Sequence, residues 1–226
     1  MSFISDLFAS SDKPNSLGAK FRSKRQADFE AFFFNTFSKN EPIRILDLGG
    51  TSYFWKKSSI PDLPRISITL LNLHLESSQH PNITAVKGDA TQLVDFEAKE
   101  FDLVFSNSVI EHLYTYENQQ KMAYEIRRVG KYHFIQTPNK HFPVEAHYAL
   151  PFAQYMPKKW VYFILTRTKL SRLQKWDLED AKQYLEEIRL ITEPELRDLF
   201  PKSLIYQEKL MGLVKSISAH NLKSKD

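Results

Sequence analysis

Two groups of residues in this chain have the types and spacing to do chemistry. The first stands at the ends of four short apolar runs: Asp47 with Gly49 and Gly50, then Asn72, then Gly88 with Asp89 and Ala90, then Ser106 and Asn107. Glycine and alanine let a ligand approach the backbone, while Asp and Asn exchange hydrogen bonds with amino and hydroxyl groups. The second group pairs carboxylates with imidazoles. Glu111-His112 follows the fourth run, and "TPNKHFPVEAHYALPF" holds His141, Glu145, His147 and Tyr148. An imidazole titrates near pH ~6.5, so a His beside a Glu suits the removal of a proton from an acceptor. Glu111, His112, Glu145 and His147 are therefore the candidate catalytic residues. The plainer reading is that His112 packs a helix start and that Glu145 and His147 brace a proline-containing loop. No metal site is expected, because the spacing of His141, Glu145 and His147 differs from H-E-x-x-H and Pro143 argues against a helix there.

These residues need elements to position them. "IRILDL", "ISITLLNL", "NITAVKGD", "FDLVFSN" and "KYHFIQTP" are compact strand candidates, and helix-sized connections between them argue for a largely parallel sheet. In such a sheet ligands bind beyond the carboxyl ends of the strands. A helical segment over 12–40 precedes the first strand, with Phe21, Phe29, Phe32, Phe33 and Phe37 at helical spacing. Arg22 and Arg25 on it are read as a solvated face, with an acidic substrate as the other use. "SVIEHLYTYENQQKMAYEIRRVG" supplies another helix, stopped by Gly130 and carrying Arg127 and Arg128 at an exposed end. From 142 to 200 the texture turns aromatic and basic, which suits a lid over a substrate. Its second amphipathic helix opens at Thr192 as a cap. The closing "SLIYQEKLMGLVKSISAHN" reads as two strands around Gly212.

Composition excludes more than it selects. The 226 residues favour one α/β domain spanning 1–226. With no cysteine there are no disulfides, Fe–S clusters or thiolate zinc sites, and a cytoplasmic protein is expected. No run of ~20 apolar residues is present, so no membrane-spanning helix is expected. "WVYFIL", 160–165, is a candidate for peripheral membrane contact or for packing on the chain's own core. A net charge of +4, scattered rather than clustered, gives little support to nucleic-acid binding.

"ILDLGG", "LLNL", "KGDA", "FDLVFSNSVIEHL" and "FIQTPN" together resemble, in order and spacing, the class I methyltransferases that use S-adenosylmethionine, in particular the type 11 subgroup. That resemblance covers about residues 17 to 221. It implies a doubly wound, mostly parallel seven-stranded Rossmann-like sheet with a helical lid insertion. It also implies a cofactor site. Asp47, Gly49 and Gly50 would border the methionine part, Asn72 the ribose, Asp89 and Ala90 the adenine, and Ser106 and Asn107 the methionine moiety again. S-adenosylhomocysteine would be the product. Two departures stand out: "DLGGTSY" has Thr51 and Tyr53 where later glycines often sit, and Asn72 replaces an acidic residue, losing a charge-assisted bond. The expected reaction is methyl transfer to an oxygen or nitrogen of a small, lipophilic or glycosylated acceptor. The alternatives are a cofactor-binding module without turnover and an RNA methyltransferase.

Overall fold

The computed structural model describes residues 17–75 and 77–223. Its centre is a seven-stranded sheet built from β1 (Ile43–Leu48), β2 (Ile66–Asn72), β3 (Ile83–Lys87), β4 (Phe101–Asn107), β5 (Gly130–Pro138), β8 (Leu204–Leu210) and β9 (Leu213–His220). The strand order is β3-β2-β1-β4-β5-β9-β8. The first five strands are parallel, and β9 runs antiparallel between β5 and β8, so the closing hairpin completes the sheet as expected. The winding reverses between β1 and β4. Register sets the strand ends side by side there: Asp47 lies opposite Leu70 and Phe105, Asn72 opposite Lys87, and Asn107 opposite Gln136.

One face of the sheet is covered by α1 (Leu17–Thr36), a single helix whose Phe29 and Phe33 are fully buried against Ile45, Phe105 and Phe134. Each such ring contributes about 1.5–3 kcal/mol by leaving water. The other face is covered by α3 (Tyr116–Val129) and α6 (Glu193–Leu199). Thr192 caps α6 in a reciprocal capping box with Glu195. Gly130 ends α3 at an extended φ of -99°. A side chain there would collide with Val104, so close packing rather than a left-handed turn requires glycine.

Three expectations need correction. Helical connections are missing between β2 and β3 and between β3 and β4, where the chain runs through turns, and β1 is followed only by the four-residue α2 (Ser52–Trp55). Arg128 is not at an exposed end: it pairs with Glu125 and donates to the carbonyls of Leu93 and Phe96, tying the β3–β4 connection to α3. Finally, the insertion is smaller than 142–200. A hairpin of β6 (Val144–Glu145) and β7 (Leu150–Pro151) leads to α4 (Lys158–Arg167) and α5 (Leu178–Glu187), which share a separate small core around Val161, Leu165, Ala181 and Leu185. The lid ends there, because Leu196 and Leu199 of α6 belong to the sheet's core.

Candidate active site

Asp47 and the two glycines make a fixed loop at the reversal point. Gly49 has φ 73°, and a Cβ on it would lie 2.5 Å from Val109, so both backbone and space demand glycine. A Cβ on Gly50 would fall 1.7 Å from the Asp47 carboxylate. The loop is latched from both sides: Asn72 Nδ2 donates to the Gly50 carbonyl at 2.7 Å, and Trp55 Nε1 donates to Asp47 Oδ2 at 2.8 Å. Trp55 is thus a core residue that orients a loop carboxylate. Thr51 and Tyr53, which replace later glycines, are exposed, so the short α2 removes the need for a third close approach. Asp47 is wholly buried, and burial pushes its carboxyl up to about 7 against the opposing pull of the Trp55 bond. Its Oδ1 has no partner among the described residues.

Three cavities run along the strand ends. One of about 390 Å³ is lined by Asn72, His74, Gly88, Asp89, Ala90 and His112. A second of about 160 Å³ is lined by Gln26, Asp47, Gly50, Tyr53 and Phe105. Gly49 lines both. A third, about 320 Å³, lies under the lid, and Arg22, Arg25 and Asn107 line it or the second cavity, with Arg22 and Asn107 common to the two. The three cavities are thus neighbours, with Gly49 between the first and second and Arg22 and Asn107 between the second and third.

The strand-end residues divide by what their atoms are already doing. Asp89 Oδ1 accepts from the Thr91 backbone N–H and hydroxyl, holding a turn in which no described residue bonds Oδ2. Asn72 gives its amide N–H to Gly50, leaving Oδ1 to accept from a hydroxyl. Asn107 Oδ1 accepts from Arg25 at 2.6 Å. Ser106 departs from its expected place. Its hydroxyl donates to the Leu48 carbonyl at 3.1 Å and it is fully buried, so it braces β4 to β1 and lines none of these cavities.

The four candidate catalytic residues, separated by more than thirty positions in sequence, come together under the lid. The His112 and His147 rings stand perpendicular at 4.9 Å. Glu145 Oε1 binds His147 Nδ1 at 2.7 Å, and its Oε2 accepts from the backbone N–H of His147 and Tyr148. Glu187, in α5, binds His112 Nδ1 at 2.8 Å. Glu111 is fully buried; Oε2 accepts from Thr137, and Oε1 has no partner among the described residues. Burial raises the Glu111 pKa, with the positive charge available on His147 and His112 acting the other way. For His147 burial opposes charge, but the Glu145 hydrogen bond and the charges of Glu145 and Glu111 raise its pKa overall. Only Glu145 of the four lines the lid cavity, and His112 instead faces the Asp89 cavity. His141 does not join them, since its Nδ1 meets the Tyr155 hydroxyl. Glu111, His112 and His147 each offer one ligand atom within 4.8 Å of the others, which is compatible with holding a cation.

Sequence reasoning missed what Arg25 does. It is buried, paired with Glu208 at 2.7 Å, and donates to Asn107 and Gln136, so it clamps β8, β4 and β5 beneath the cavities rather than facing water. A signal was present: Phe21, Arg25, Phe29 and Phe33 follow at intervals of four along one helix face. The sequence also gave no notice of Lys215, Arg172 or Gln136, which line the lid cavity. Three residues with left-handed backbone, Ser108, Ala149 and Arg172, line that cavity too, and such positions cluster where function over-determines the backbone.

Comparison with known proteins agrees with this geometry. Residues 62–133 match the family described as Methyltransferase domain. A SAM-dependent methyltransferase from Methanosarcina mazei superposes with a TM-score of 0.54 at 14% identity, covering 86% of this chain and 97% of that one. The chain has the class I methyltransferase fold. An O-methyltransferase family protein from Burkholderia thailandensis gives a TM-score of 0.52 at 10% identity, covering 95% of this chain and 58% of that one. The [4+2]-cyclase SpnF gives a TM-score of 0.50 at 14% identity, covering 89% of this chain and 63% of that one. The chain spans 46% and 59% of the length of two other matched chains. A search of curated proteins finds no match. Because one of these neighbours is a cyclase, the fold alone does not assign the reaction. Among the described residues no helix is long and apolar enough to cross a membrane.

Proposed function

We propose that the chain binds S-adenosylmethionine along the Asp89–Gly49–Asp47 path and transfers its methyl group to an oxygen or nitrogen of a small molecule held under the lid, oxygen being preferred. The observation that carries this reading is Asp47, a buried carboxylate that lines the second cavity and whose Oδ1 has no partner among the described residues. A carboxylate desolvated in this way gains most from a cationic ligand, and the methionine end of the cofactor carries an ammonium. The Gly49–Gly50 cradle is already set without that ligand, so little ordering cost falls on binding. When bound, the cofactor supplies an activated methyl group. The residues then have to align the acceptor and take its proton. Glu145 is the member of the acid–base cluster that meets the acceptor cavity, with His147 bonded to it and Glu111 and His112 behind. The lid also presents Trp160 and Phe163 outward, 60% and 61% exposed, which supports contact with a lipophilic acceptor or a membrane surface.

The test is acceptor-dependent formation of S-adenosylhomocysteine across a panel of small alcohols, phenols, sugars and amines. Glu145→Gln should lower kcat by about 10²- to 10⁴-fold while leaving S-adenosylhomocysteine affinity unchanged. Binding of that product by a protein that turns over no acceptor would favour the cofactor-binding module instead. A second reading is favoured by the 4.8 Å cluster: a divalent cation on Glu111, His112 and His147, with Glu145 and Glu187 behind the imidazoles. Loss of turnover in a chelator and its return with added metal would support it.

A further inference from the structure

The charges around the lid cavity do not balance. Arg22, Arg25, Arg172 and Lys215 line it, and Glu145 is its one lining carboxylate among the described residues. Arg25 is neutralised by Glu208, which Ser216 also bonds. Glu145 is matched by His147 and two backbone N–H groups. Arg172 and Lys215 form no ion pair with a carboxylate among the described residues. Arg172, in the lid, donates to the carbonyls of Ala146 and His147. Lys215, on β9, has its ammonium 4.3 Å from the centroid of the Phe21 ring, with no ion pair or hydrogen bond to its side chain. Burial first, then the charge of Arg25 and more weakly that of Arg22, lower the Lys215 pKa to about 8, with Glu208 acting the other way. A half-buried cation among other cations is costly unless something negative arrives. The rest of the wall is mixed: Phe21, Phe142, Leu190 and Leu210 give it an apolar side, and Asn107, Ser108, Gln136, Asn139 and Ser216 a polar one.

We infer that the acceptor is an apolar molecule bearing an oxyanion, a carboxylate or a phosphate, that Lys215 binds from the sheet side and Arg172 from the lid side. This rests on the methyl-transfer reading for the word acceptor, but the anion site stands on its own charges. Phe21 serves twice, as a wall for the apolar body and as the ring that holds Lys215 in place. Because Arg172 belongs to the lid and Lys215 to the sheet, an anion between them also draws the lid onto the substrate.

The experiment uses the full chain saturated with S-adenosylhomocysteine and three probes of similar size: benzoate, phenyl phosphate and benzyl alcohol. Ligand-observed NMR should give dissociation constants at least about tenfold lower for one or both anions than for the alcohol. Lys215→Met should remove most of that advantage without weakening the alcohol, and Arg172→Gln should reduce it. The preferred anion identifies the carboxylate or the phosphate as the natural group. Equal binding of neutral and charged probes would overturn the inference, as would an anion preference that survives both substitutions. Lys215→Gln gives the same readout if the Met variant does not fold. Failure of the parent to bind S-adenosylhomocysteine would instead overturn the methyl-transfer reading, and the probes would still be compared on the unliganded chain.

Discussion

Asp47 concentrates the argument at the scale of a residue. Its carboxyl is held up to about 7 by burial, whereas an unfolded Asp titrates near ~3.9. The native chain therefore binds the extra proton between those values, and this residue's contribution to stability is lost as pH rises from about 4 through about 7. Asp47→Asn keeps an oxygen for Trp55 and removes the titration. The unliganded variant should show a flatter stability profile over that window and a higher Tm than the parent at pH 8, with weakened S-adenosylhomocysteine binding. Thermal denaturation at several pH values checks this, and parallel profiles would contradict it. The sequence marked Asp47, Gly49, Asn72 and Asp89 by type and position. It did not reveal which atoms are spent inside the protein, because the Trp55 and Asn72 latches depend on how an eight-residue loop folds back and on strand register. Ser106 was misplaced for the same reason: a strand-end hydroxyl faces the ligand or the neighbouring strand according to where the pleat stops.

At the scale of the element, α1 is both a cover for the sheet and the floor of two cavities. Its phenylalanines were legible from helical spacing, and its single-helix form follows from them. Arg25 was read as surface charge because arginine is mostly exposed, yet its place on the aromatic face puts it in the core beside Glu208. Arg25→Ala should destabilise the fold by about 3–5 kcal/mol, since it leaves a buried carboxylate unpaired. Replacing both members, Arg25→Met with Glu208→Met, should recover most of that loss in urea denaturation. A double variant as unstable as the single one would show that the pair does not act as a unit. The capping box at Thr192 was legible because it is local, whereas the true end of the lid was not. The helices α5 and α6 look alike in sequence, and only packing assigns one to the lid core and the other to the sheet.

At the scale of the whole molecule, the alternation of apolar runs with polar ends was enough to read the parallel sheet. The missing helices beside β2 and β3 were not legible, because their connections had the length of helices without the content. Nor was the convergence of Glu111 and His112 with Glu145 and His147, which exists only once the lid folds over β4. The three cavities share lining residues along the strand ends, Gly49 between the first two and Arg22 and Asn107 between the second and third, which under the proposed function would set a donor site beside an acceptor site. The central claim is that the Asp89–Gly49–Asp47 path binds S-adenosylmethionine, and calorimetric titration with S-adenosylhomocysteine tests it most directly. Asp89→Asn keeps Oδ1 for Thr91 but turns the second oxygen into a donor, which would face the adenine amino group unfavourably. Saturable binding by the parent, weakened about tenfold or more in Asp89→Asn, is the predicted result. No binding up to millimolar ligand, or equal affinity in parent and variant, would contradict the account.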